Sequence, residues 1–86
     1  KLDLKIDFPC SYPIKVIGVS AKISKDSVYR ISRLYFKEIS FDDIQQQYSR
    51  KGNYVSFRLS VLAEGENQLK AFHRNLMELD GIKMVL

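Results

Sequence analysis

The stretch YVSFRLSVLA (54–63) constrains this chain more than any other. Val55, Phe57, Leu59, Val61 and Ala63 alternate with Tyr54, Ser56, Arg58 and Ser60. That period of two belongs to a β-strand with one dry face and one wet face. A dry strand face needs a second layer to cover it. The next segment offers one: ENQLKAFHRNLMELD (66–80) places Leu69, Phe72, Leu76 and Leu79 at i, i+3, i+7 and i+10, the stripe of an amphipathic helix. Gly81 then stands where a helix C-cap glycine belongs.

The same change of period occurs earlier in the chain. YPIKVIGV (12–19) reads as a first strand, with Ile14 and Val16 on one side and Lys15 and Ile17 on the other. SKDSVYRISRLYFKEI (24–39) reads as a helix buried through Val28, Ile31, Leu34 and Tyr35, with Ser24 or Asp26 as its N-cap. DDIQQQYS (42–49) is a polar strand suited to a sheet edge, with Ile44, Gln46 and Tyr48 on one side. RKGN (50–53) makes the turn into the long strand, with positive φ expected at Gly52 and Asn53. IKMVL (82–86) closes the chain as a fourth strand.

The order βαββαβ predicts an α+β fold, the ferredoxin-like sandwich: a four-stranded antiparallel sheet with two helices on one face. The other sheet face is left open. At 86 residues the chain is expected to form a single domain over 1–86, with 1–11 as an extended lead-in. Hydrophobic residues make up 45% and charged residues 28%, which fits a folded soluble domain and excludes disorder. No apolar run approaches the ~18–20 residues of a membrane span, and the first residues do not read as a secretion signal. A cytoplasmic protein is expected. A net charge of +4 permits an acidic partner without demanding one.

Several chemistries find no residues here. Cys10 is the sole cysteine and His73 the sole histidine, so neither an internal disulfide nor a zinc ligand set can be assembled. No cofactor is expected. Cys10, between Pro9 and Ser11, reads as a small, partly buried apolar residue rather than a reactive thiol. His73 reads as a helix flank. Paired catalytic carboxylates, a nucleophile with its base, and a glycine-rich phosphate loop are all missing, so an enzyme is not expected.

Two functions carried by this fold can be tested against the residues. KGNYVSF (51–57) resembles a clipped form of the third-strand octamer of RNA recognition motifs, whose aromatics stack on bases. Only Tyr54 would point outward, however. Phe57 turns into the core, and Lys15 stands where the first strand would carry its aromatic. KVIGVSAK (15–22) superficially resembles the phosphate loop of acylphosphatases, but ends on Lys22 where a bidentate arginine is needed.

FPCSYPIKVIG (8–18), KGNYVSFRLSV (51–61) and LMELDGIKMVL (76–86) together resemble the YbeD-like family of small bacterial proteins. The resemblance spans nearly the whole chain and is weakest in FKEISFDDIQQQ. It implies a ferredoxin-like fold similar to ACT regulatory domains, a genomic association with lipoate synthesis, and no settled activity.

A non-enzymatic regulatory or interaction module is therefore expected, acting through its open sheet face or an edge strand. Its contact residues would be Lys15, Tyr54, Arg58 and Lys83 on the open sheet face, with Ile17, Val19 and Val85 adding apolar area. The partner would be another protein or a second copy, with a small effector possible at an ACT-like subunit interface. The alternative is a nucleic-acid-binding module. It would use Lys15 and Arg58 with a basic helix stripe of Arg30, Arg33, Lys37, Lys70 and Arg74.

Overall fold

The computed structural model describes residues 7–86. The elements follow in the expected order: β1 (Cys10–Val19), α1 (Lys25–Tyr35), a short 3-10 turn (Phe41–Asp43), β2 (Gln45–Tyr48), β3 (Tyr54–Ala63), α2 (Glu66–Met77) and β4 (Ile82–Val85). The strands form one antiparallel sheet in the order β2-β3-β1-β4. With both helices on one face, this is the ferredoxin-like sandwich.

β1 and β3 are the long central strands, paired from Cys10–Ala63 to Val19–Tyr54. Their inward side chains, Ile14, Val16, Val55, Phe57, Leu59, Val61 and Ala63, are all buried. Val28 of α1 and Leu69, Phe72 and Leu76 of α2 cover them, and Phe57, Phe72 and Leu76 are fully buried. Each fully buried large side chain contributes ~1.5–3 kcal/mol over an exposed one.

α1 begins where Ser24 caps it, accepting the Ser27 N–H while the Ser27 hydroxyl faces the Ser24 N–H. It ends earlier than expected, at Tyr35 and not at residue 39, because Phe36 leaves the helix and turns its ring edge-on to Phe72, 5.0 Å away. Ile39 is buried with it. These apolar residues sit three apart and so imitate another helical turn, but they fill the core from a loop. Leu34, expected in the stripe, is 73% exposed; Ser32 is buried in its place, its hydroxyl donating to the Val28 carbonyl at 2.8 Å.

Other boundaries shift as well. β1 starts at Cys10, so Cys10 and Ser11 belong to the strand; of the proposed lead-in, residues 1–6 lie outside the described residues. Cys10 is half-buried against the core. β2 is shorter than predicted because residues 41–43 wind into the 3-10 turn, with Asp43 accepting the Ser40 N–H. Gly52 has φ +80°, as the turn required, but Asn53 does not enter the left-handed region. Gly81, at φ +85°, is not a helix cap: α2 stops at Met77, and Gly81 turns the chain between Leu79 and Ile82. No helix among the described residues is long and apolar enough to cross a membrane.

Candidate interaction face

The alternation that buries one side of β1 and β3 presents the other side on the face away from the helices. Strand register arranges those residues in rows. One row runs Gln45, Arg58, Lys15, with Leu86 beyond; the next runs Gln47, Ser56, Ile17, Met84; then come Tyr54 and Val19. In the other direction lie Ser60 with Pro13, then Leu62 with Ser11. Three of the four expected contact residues are placed by this geometry. Lys15 and Arg58 stand directly opposite each other, and Tyr54, 45% exposed, stands on the same face two rows away.

Lys83 is placed differently. Ile82 pairs with Gly18 and Met84 with Ile17, so Lys83 is the extra residue of a β-bulge in β4 and belongs to the sheet's outer edge. Val85 needs correction: it pairs with Val16 and packs on the core, so it adds nothing to the open face. Met84 supplies that apolar area instead, 47% exposed beside Ile17. The bulge explains the error, because it breaks the simple alternation through IKMVL. Ser60 was read as outward but not counted among the contact residues, and Gln45 went unnoticed, although extending the alternation of β2 finds it.

Lys15, Arg58, Gln45, Ser60 and Asp43 line a hollow of about 740 Å³, together with Pro13 and Leu86. The main chain of Lys15 is bound to Leu86 in both directions: the Lys15 N–H donates to the Leu86 carbonyl at 3.1 Å, and the Leu86 N–H donates back at 2.8 Å. Lys15 and Arg58 therefore form a non-hydrogen-bonded pair, the narrow kind, in which facing Cα atoms are ~4.5 Å apart. The KGN turn is anchored to this sheet end by Ser20, whose N–H donates to the Asn53 carbonyl and whose hydroxyl donates to that of Gly52.

The five basic residues assigned to the helices do not make one free stripe. Arg30 pairs with Asp26 at 3.1 Å and Lys70 with Glu66 at 3.3 Å. Arg33 donates to the Tyr29 hydroxyl at 2.8 Å. Lys37 lies beyond the end of α1, which leaves Arg74 in the last turn of α2. The aromatic count on the open face is also settled: Tyr54 is out and Phe57 fully buried, as read from the sequence. His73 is exposed on α2. Among the described residues no three of His, Cys, Asp and Glu come together in a metal-binding group.

The family described as "Protein of unknown function (DUF493)" matches residues 3–86. The chain belongs to this family. It is the YbeD-like family that the three sequence blocks resemble. A UPF0250 protein of Pseudomonas putida is 39% identical over 83 residues, covering 95% of this chain and 90% of the relative. Another, from Hahella chejuensis, is 37% identical over 82 residues with the same coverage. The solution structure of protein HP0495 from H. pylori superposes with a TM-score of 0.74 at 17% identity, over 99% of this chain and 89% of that one. This last likeness supports the ferredoxin-like fold. The DUF493 description carries no enzymatic name.

Proposed function

We propose that this DUF493 chain is a non-catalytic interaction module that docks another protein on its open sheet face. The observation that carries the reading is a contiguous apolar group, Ile17, Val19, Tyr54 and Met84, gathered next to the Lys15–Arg58 row on a face without helices. An apolar patch rimmed by polar groups is the usual composition of a protein-binding surface. The long β1–β3 ladder beneath it provides a rigid platform, so docking requires little ordering of the module itself. The basic helix residues are less suited to contact, since two of the five are already in ion pairs within their helix.

Site-specific photocrosslinking in bacterial cells tests this reading. A photoreactive phenylalanine analogue at Tyr54 is expected to yield a discrete protein adduct, and the same group at the exposed His73 on α2 is expected to yield none. Adducts from His73 alone, or from neither position, would overturn the assignment.

A further inference from the structure

We propose that the segment docked on this face is acidic, its carboxylates taken by the Lys15–Arg58 row and its apolar side chains by Ile17 and Met84. This rests on the sheet face being the docking surface. The reason lies in a pairing that folding alone would not favour. Lys15 and Arg58 are facing residues of a narrow antiparallel pair, and like charges placed directly opposite each other destabilise a sheet. Among the described residues neither is in an ion pair. The outward positions of the four strands hold Gln, Ser, Tyr, Ile, Val, Leu, Met and Pro besides these two cations, and no acidic residue. Among the described residues neither cation has a carboxylate within 4.0 Å, whereas Arg30 and Lys70 have theirs one helical turn away. Asp43 also lines the hollow; one of its carboxylate oxygens accepts the Ser40 N–H at 3.0 Å, and it forms no ion pair with either cation.

The hollow bordered by both cations, about 740 Å³, has room for several side chains of a partner. The Arg58 guanidinium offers a planar fork that a carboxylate meets with two hydrogen bonds, and Lys15 adds a point charge beside it. Gln45 and Ser60 stand at hand as further donors. An RNA strand fits less well: on this face, among the described residues, only Tyr54 offers a stacking ring, and a single pair of cations neutralises few phosphates.

Amide-resolved NMR titration of the whole chain distinguishes the outcomes. The probes are a blocked decapeptide of glutamate and leucine, the matching lysine–leucine peptide, inorganic phosphate and a ten-nucleotide oligouridine. The acidic peptide is expected to shift Lys15, Ile17, Ser56 and Arg58 saturably. Lys15→Glu/Arg58→Glu is expected to weaken that binding at least tenfold and to bind the lysine–leucine peptide instead. Unchanged spectra at millimolar acidic peptide, shifts confined to the helices, or tighter binding of phosphate or oligouridine would overturn the proposal. If the Tyr54 adduct forms while the acidic peptide fails, the docking face stands and its acidic occupant falls. A second measurement needs no ligand. Lys15→Gln and Arg58→Gln are each expected to raise Tm by about 1–8 °C, with no further gain in the double variant, because the repulsion is relieved once. A fall in Tm for both single variants would show that the pair carries no repulsion and would overturn the argument.

Discussion

A methyl group added at Gly81 would lie 2.5 Å from the Cβ of Lys22, on a backbone already at φ +85°. One added at Gly52, at φ +80°, would meet nothing within 4 Å. The two positions thus separate backbone strain from steric overlap. Gly52→Ala is expected to cost about 1–2 kcal/mol through the left-handed conformation alone. Gly81→Ala is expected to cost roughly 2–5 kcal/mol, because overpacking adds to the same strain. Urea denaturation of the two variants checks the difference. Gly52 was read from the sequence as a turn residue, whereas Gly81 was read as a helix cap, and that role was wrong. Its spacing after Leu79 fits a helix cap, and only the path of the chain shows that it makes the turn into β4, where its carbonyl accepts the Val19 N–H.

α1 shows how far a periodic pattern can be trusted. Its start was legible in Ser24, since capping is a local hydrogen bond between near neighbours. Its buried side was legible in part: Val28, Ile31 and Tyr35 pack on the core as their spacing predicts. Leu34 fits an apolar stripe by spacing, yet it is exposed. Ser32 fits no stripe, yet it is buried, because its hydroxyl is satisfied by its own helix and carries no unpaired donor into the core. The end of the helix depends on contacts across the fold. Asn75 of α2 donates to the Tyr35 hydroxyl, and the Gln68 side chain donates to the Tyr35 carbonyl at 3.1 Å while accepting the Glu64 N–H. Ser24→Ala is expected to lose about 1 kcal/mol. Leu34→Glu, by contrast, is expected to leave stability within about 0.5 kcal/mol. Denaturant titrations of both variants decide whether α1 faces the core as described.

For the molecule as a whole, one core joins the sheet to both helices, with Phe57 at its centre and fully buried. Phe57→Ala is expected to cost ~3–5 kcal/mol, a large fraction of the ~5–15 kcal/mol typical of a native domain. Unfolding should remain a single transition, coincident by far-ultraviolet circular dichroism and tyrosine fluorescence; two separated transitions would show that the helices and sheet are not one unit. The sequence alone determined the order of the elements and the inward or outward sense of nearly every residue in β1 and β3. Both follow from side-chain periodicity, which is local. It named Lys15, Arg58 and Tyr54 as outward residues for the same reason. Only the tertiary structure decided that Lys15 faces Arg58 across a narrow pair, that Met84 and not Val85 flanks Ile17, and that, among the described residues, Arg30 and Lys70 have carboxylate partners while Lys15 and Arg58 do not. Strand register, the β4 bulge and the distances between charges arise when segments far apart in the chain are brought together by a shared core. No single segment's periodicity encodes them.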